Sequence, residues 1–172
     1  CGGGAFLVPA ALRVMEALKE ASPAMVSRNL KTRIEGWEID PFSSWLSGFF
    51  IEAVAVPITA KTGKLVSPNI RTFDSLRCDH QEFDRFDLVI GNPPFGRVRL
   101  DSYLRTRYGR SLFGHANLYG VFTELAVRLA ISGGVVAYLS PSSFLAGGYF
   151  KLWTDHYWAA VWWELALAAS LV

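Results

Sequence analysis

The run Phe86–Gly91, FDLVIG, is nearly all apolar and stops at Asn92-Pro93-Pro94-Phe95. An unbroken apolar run of strand length is the pattern of a central parallel strand, expected to be buried on both faces. Two successive prolines lack backbone donors and fix φ, so the strand must leave its sheet here as a stiff, extended loop. The carbonyls of that loop still accept hydrogen bonds. A parallel strand also needs a crossover connection, usually helical, and that requirement directs the rest of the chain towards an α/β fold.

The flanking segments supply the alternation. Cys1-Gly2-Gly3-Gly4 and Pro9, followed by Leu12, Met15 and Leu18 at helical spacing, predict a glycine turn feeding an amphipathic helix. RIEGWEID predicts a strand ending at Glu38 and Asp40, and PFSSWLSGFFIEAVAV a helix opened by Pro41 and rich in aromatics. After the polar turn TAKTGK, NIRTFDSL reads as a short strand ending near Asp74. NLYGVFTELAVRLAISGG carries apolar residues at Leu118, Val121, Phe122, Leu125 and Leu129, a helix with glycines at its end, and VVAYLSPSSF reads as a further buried strand. The expected fold is therefore α/β, a doubly wound, mostly parallel sheet.

At 172 residues, with 51% hydrophobic and 19% charged, the chain suits one well-packed domain and argues against disorder. A formal charge of +2 names no partner by itself. Two cysteines, Cys1 and Cys78, have no paired spacing with each other or with histidines. No metal site or disulfide framework is expected, and reduced thiols suit a cytoplasmic protein. The apolar tail YWAAVWWELALAASLV is 16 residues long, short of the roughly 20 that span a bilayer as a helix, and no signal peptide is recognised at the start.

Ligands of such sheets bind beyond the carboxyl ends of the strands. The candidate residues there are Gly2 to Gly4, Glu38, Asp40, Asp74 and the Asn92–Phe95 loop. Glycines let backbone N–H groups approach a ligand, and a strand-end carboxylate can accept from both hydroxyls of a ribose. Asp40 has two readings, a second acid for a ligand or a cap for the helix at Pro41.

Taken together, Cys1-Gly2-Gly3-Gly4-Ala5-Phe6, Gly36-Trp37-Glu38-Ile39-Asp40-Pro41 and Asn92-Pro93-Pro94-Phe95 resemble the motifs of S-adenosylmethionine-dependent amino-methyltransferases of DNA. Those motifs are a glycine-rich loop, a strand ending in an acid, and D/N/S-P-P-Y/F/W. Asn117-Leu118-Tyr119-Gly120-Val121-Phe122 and GGVVAYLSPSSFL are similar to the adenine-N6 branch typified by the Taq methyltransferase. The resemblance implies a Rossmann-like class I methyltransferase domain over residues 1–155, lacking its first strand, with 156–172 as a Trp-rich tail outside the pattern. It implies that Cys1, Gly2, Gly4, Glu38, Ile39, Asp74 and Ser75 hold S-adenosylmethionine. It further implies that Asn92, Pro93, Pro94 and Phe95 handle a flipped adenine in double-stranded DNA, as in a restriction-modification system. Because the upstream strand and a recognition domain are absent from these residues, weak or no activity is expected of this stretch alone.

Two other readings stay open on sequence: methylation of a protein glutamine or an RNA amine, and a non-catalytic binding module. Beyond the Asn92 loop, Arg97, Arg99, Arg105, Arg107 and Arg110 face only Asp101 in sequence, and they are expected to contact phosphates. Cys78-Asp79-His80 combines nucleophile and base types, but sequence neighbours rarely converge as a catalytic set. His115 precedes the Asn117 helix as a structural or substrate-side residue.

Overall fold

The computed structural model describes residues 1–97, 99–112 and 117–139. His115, the end of the predicted strand beyond Leu139, and the Trp-rich tail lie outside these residues. The chain divides into two compact units, Cys1–Ser75 and Leu76–Val172.

The first unit holds helix α1 (Leu7–Ala17), α2 (Pro23–Arg33), strand β1 (Glu35–Glu38), α3 (Pro41–Val54), α4 (Val56–Thr62) and β2 (Asn69–Thr72). β1 and β2 run parallel, with Glu38 opposite Thr72, and α3 and α4 form the crossover between them. α1 buries Leu7 and Ala11; of the predicted stripe, Met15 and Leu18 pack against the core and Leu12 is left half exposed. That core, which Val14 also packs against, holds Val26, Leu30, Ile34, Ile51 and Val66. Each large aliphatic side chain buried there contributes about 1.5–3 kcal/mol. Sequence reading passed over α2, although Ser22-Pro23 marks its start: the Ser22 hydroxyl accepts the Met25 N–H at 3.3 Å, and Pro23 occupies the first turn. The predicted turn TAKTGK is helical as far as Thr62, and Gly63 ends α4 in the left-handed region at φ 66°.

α3 inverts the simplest hydrophobic expectation. Ser44 and Ser47 are buried, while Phe42, Trp45 and Phe49 form an exposed aromatic ladder with ring centroids 5.8 and 5.7 Å apart. The small residues face inward because backbone approaches there. A Cβ on Gly4 would lie 3.4 Å from the Ser47 Cα, and the Thr72 hydroxyl donates to Ser44 Oγ at 2.7 Å.

The second unit holds β3 (Phe86–Gly91), α5 (Ser102–Arg107), α6 (Leu118–Leu129) and β4 (Ala130–Tyr138), with β3 and β4 parallel. Both units thus repeat strand, helical crossover and parallel strand. Two expectations are corrected here. β3 is not covered on both faces in the described residues, since Leu88 and Ile90 are 50% and 41% exposed. The glycines after Leu129 do not end a helix but lie inside β4, in an irregularity where Phe86 pairs with Ala130 and Leu88 with Val135. Gly133, at φ 78°, and Gly134 absorb the extra residues of that bulge. No single helix among the described residues is long and apolar enough to cross a membrane.

A Cβ on Gly134 would meet the carbonyl oxygens of Ile131 and Phe86 at 3.0 and 3.1 Å, which are backbone atoms with little room to give. A Cβ on Gly36 would meet the tips of Leu7 and Ile70 at 2.6 and 2.7 Å, and those can swing aside. Urea denaturation should therefore show Gly134→Ala costing about 1–3 kcal/mol and Gly36→Ala less.

Candidate functional site

At the carboxyl end of β1, the Glu38 carboxylate collects the surrounding backbone. Its Oε2 accepts the N–H groups of Gly2 and Cys1 at 2.6 and 3.0 Å; its Oε1 accepts the N–H groups of Ile39 and Asp40 at 2.9 and 3.1 Å. The glycine turn is thereby tied to the acid across 36 residues. Ser47 secures its other side, donating its hydroxyl to the Gly2 carbonyl. Gly2 and Gly4 have φ of 58° and 90°, conformations that side chains other than glycine rarely adopt.

Burial acts to raise the Glu38 pKa, but the hydrogen bonds it accepts from the backbone of Asp40 and Gly2 lower it, so the carboxyl titrates below its ordinary value. Ile39, next in the chain, is 65% exposed. Of the two readings of Asp40, the cap is the one observed: its carboxylate accepts the Ser43 N–H at 2.7 Å, and that bond lowers its pKa. β2 delivers Phe73, whose N–H donates to the Glu38 carbonyl at 2.8 Å, and then the partly buried Asp74 and Ser75. Glu38 and Asp74 therefore follow neighbouring strand ends. The glycine loop, Glu38, exposed Ile39, Asp74 and Ser75 form one rim on the first unit.

On the second unit, the Asn92–Phe95 loop is anchored at both ends. At its entry, the Leu139 N–H donates to the Gly91 carbonyl at 3.0 Å, extending the β3–β4 pairing. At its exit, the Leu118 N–H at the start of α6 donates to the Gly96 carbonyl at 3.0 Å, and Arg97 bridges Asn117 in antiparallel fashion. Gly96 turns the chain at φ 117°. Between these anchors Pro93 is buried, whereas Asn92, Pro94 and Phe95 are exposed, Phe95 by 55%. Among the described residues no hydrogen bond holds the Asn92 side chain. Pro93 seats the loop while the amide of Asn92 and the ring of Phe95 stay available.

The arginines divide by commitment. Arg97, Arg99 and Arg105 are exposed, and Arg105 donates its Nε–H to the Leu100 carbonyl at 3.2 Å. Arg107 turns inward instead, donating to the Cys78 carbonyl, to the Tyr103 hydroxyl at 2.8 Å and to the Tyr108 hydroxyl at 3.4 Å. Its guanidinium also lies 5.4 Å from the Phe83 ring centroid. The Arg110 side chain lies outside the described residues. Asp101, the lone acid of this stretch, caps α5 through the Leu104 N–H at 2.8 Å and pairs with Arg77.

Sequence reading missed the network that Arg107 joins. Tyr108 is fully buried and donates its hydroxyl to the Leu76 carbonyl at 2.8 Å; desolvation pushes its pKa up to about 12. Glu124, also fully buried, pairs with Arg128 and accepts from Ser111. Arg128 donates in turn to the Arg107 carbonyl at 2.9 Å. A Glu-to-Arg spacing of four on α6 was the available clue. Of Cys78-Asp79-His80, Cys78 is buried, Asp79 caps a short turn through the Gln81 N–H at 3.0 Å, and His80 packs edge-on to Phe83. Among the described residues no group of three or more His, Cys, Asp or Glu is placed to hold a metal ion.

Parallel strands with helical crossovers, an acid-tied glycine loop and an Asn-Pro-Pro-Phe exit define a methyltransferase-type α/β fold. The comparisons agree. Residues 36–158 match the model of the Eco57I restriction-modification methylase family, well over half of the chain, and the chain belongs to that family. It is 33% identical over 72 residues to the Type II methyltransferase M.BsuBI of Bacillus subtilis, covering 42% of this chain and 14% of that protein. It is 35% identical over 80 residues to the Type II methyltransferase M.TthHB8I of Thermus thermophilus, covering 40% of this chain and 19% of that protein. The chain thus matches less than a fifth of the length of either relative. In fold it is similar to a nuclease-deletion mutant of the Type ISP restriction-modification enzyme LlaGI, solved with a DNA substrate mimic. That likeness has a TM-score of 0.67 at 17% identity and covers 84% of this chain and 15% of that one.

The Glu38 bonds predict a pH dependence. A carboxyl whose pKa is lower folded than unfolded stabilises the fold fully above its ordinary pKa, and loses that contribution as pH falls through the folded value. Asp40 and Asp101 act in the same direction. The urea midpoint should fall on acidification from about pH 5 to about pH 3, and Glu38→Gln should flatten that fall.

Proposed function

We propose that this chain carries the methyl-transfer part of an adenine-N6 DNA methyltransferase of a restriction-modification system, drawing its methyl group from S-adenosylmethionine. The observation that carries the reading is the Asn92–Phe95 loop, fixed at both ends yet presenting an exposed Asn92 amide, without a hydrogen bond among the described residues, and an exposed Phe95 ring, in a chain of a restriction-modification methylase family.

The exocyclic amine of adenine is a poor nucleophile because its lone pair is delocalised into the ring. The Asn92 side-chain oxygen and the Pro93 carbonyl would accept its two N–H bonds, returning electron density to nitrogen and turning the lone pair out of the ring plane. The prolines make this preorganised, so the acceptors need not reorganise as charge develops. No base is required before attack, since the amine becomes cationic during transfer and sheds its proton afterwards. An adenine in duplex cannot reach such a loop and would be flipped out, with Phe95 stacking on its face.

The rim of the first unit suits the cofactor by its chemistry. Glu38 is held ionised and accepts hydrogen bonds, the glycine turn has open space at Gly2, and Ile39 offers an exposed apolar surface. Glu38 would take the ribose, Ile39 and Asp74 the adenine ring and its amine, Ser75 would support Asp74, and Cys1, Gly2 and Gly4 would lie along the methionine portion. When bound, S-adenosylmethionine supplies an electrophilic methyl group. Arg97, Arg99 and Arg105 would contact phosphates, positioning the DNA without reading its sequence. Arg107 contributes by bracing this segment. With two free thiols, Cys1 and Cys78, the protein is proposed to act in the cytoplasm.

Methyl-labelled cofactor, with the chain in excess over DNA, RNA and protein substrates in parallel, tests the reading. Label on adenine N6 of DNA, weak at most from this stretch alone, is expected; label confined to RNA or protein would overturn it. Asn92→Ala should lower transfer at least about a hundredfold while cofactor affinity holds, whereas Glu38→Ala should chiefly weaken cofactor binding. Replacing Arg97, Arg99 and Arg105 together by alanine should weaken DNA binding and reduce the slope of log affinity against log salt by about 3.

A further inference from the structure

The last residue of β3, Gly91, stands in parallel register with Tyr138, the last residue of β4. A Cβ built on Gly91 would lie 3.2, 3.7 and 4.0 Å from three consecutive carbons of the Tyr138 ring, Cε1, Cδ1 and Cζ. The aromatic ring therefore packs against the place where a side chain at 91 would begin, directly before Asn92, and a Cβ there would crowd it by a few tenths of an ångström. Immediately after Tyr138, the Leu139 N–H donates to the Gly91 carbonyl. The peptide that launches the loop is thus gripped twice by the end of β4, once by ring packing and once by a backbone hydrogen bond. Burial pushes the Tyr138 hydroxyl well above its ordinary range, so the ring acts as a neutral body throughout the physiological range.

We propose that Gly91 and Tyr138 form a positioning pair for the Asn92–Phe95 loop, in which the glycine leaves a gap at the strand exit and the tyrosine ring fills it. Prolines stiffen the loop internally, but a stiff loop is aimed only as well as the peptide it grows from. At most strand ends a side chain at this position would project into the space over the sheet. Here that space is filled from the neighbouring strand, so the aim of the loop depends on a residue 47 positions away in the chain. Gly91 serves packing rather than backbone freedom, because its φ is not among the positive values found at other glycines of the chain. The proposal rests on reading Asn92–Phe95 as the amine-binding loop.

Amide hydrogen exchange tests the pair without cofactor or DNA. In Tyr138→Ala, exchange at Leu139 and Leu118, whose N–H groups donate to the carbonyls of Gly91 and Gly96 at the two ends of the loop, should speed up about tenfold, while Val89 and Val136, further back along the strands, stay protected as in the parent protein. Tyr138→Phe should restore the parent pattern, since the ring and not the hydroxyl fills the gap. Gly91→Ala should disturb the same two amides in the parent background and add nothing once the ring has been removed, a coupling expected of groups in contact. If Tyr138→Ala fails to fold, Gly91→Ala alone still has to change Leu139 and Leu118 selectively. The proposal is overturned if either variant leaves those amides unchanged, if exchange rises uniformly along both strands, or if Gly91→Ala acts equally in both backgrounds.

Where methyl transfer is measured, Tyr138→Ala should lower kcat and leave the KM for S-adenosylmethionine within about twofold, with Tyr138→Phe recovering the rate. A parent protein that showed the predicted exchange pattern but methylated RNA or protein and not DNA would overturn the functional reading and leave the pairing standing.

Discussion

Parallel strand pairing is the constraint from which the rest follows. Parallel strands cannot be joined by a tight turn, so each pair here is closed by helices, and the carboxyl ends of both strands then open on the same edge. On the first unit this places Glu38 beside the segment leading to Asp74, with the Phe73 N–H on the Glu38 carbonyl. On the second it places the Asn92 loop beside Tyr138. Residues tens of positions apart become neighbours because each follows a strand end.

The two rims use their polar groups differently. Glu38 spends its acceptors on the backbone of its own fold, fixing the glycine turn and the start of α3, and that commitment keeps it ionised. Asn92 spends nothing within the described residues, because the loop is held by Gly91, buried Pro93 and Gly96 on either side. A structural carboxylate and an available amide are both polar strand-end residues in sequence. What separates them is whether neighbouring N–H groups already point at the side chain.

The same distinction explains which parts of the chain were legible. Strand β3 and its proline exit, the acid at the end of β1 and helix α6 are local patterns, visible as apolar runs, helical spacing and stop residues. The Asp40 cap was also legible as one of two readings, since a cap lies within three residues of its partner. The inward turn of Arg107 was not, because its partners Cys78 and Phe83 come from a segment more than 20 residues earlier. Nor were the buried Ser44 and Ser47, chosen because backbone from the glycine turn and a side chain from β2 come close to that face of α3.

By itself the sequence determined the alternation of β1, β2 and β3 with helices α1, α3 and α6, the stiff exit at Pro93-Pro94 and the kinds of groups placed at strand ends, since these depend on backbone freedom and short-range hydrophobic spacing. Tertiary structure alone decided that Gly133 and Gly134 form a bulge rather than a helix end, which arginines stay exposed and which turns inward, and that a tyrosine ring packs against Gly91. Those outcomes are set by register and by contacts between distant segments, and a one-dimensional pattern contains neither.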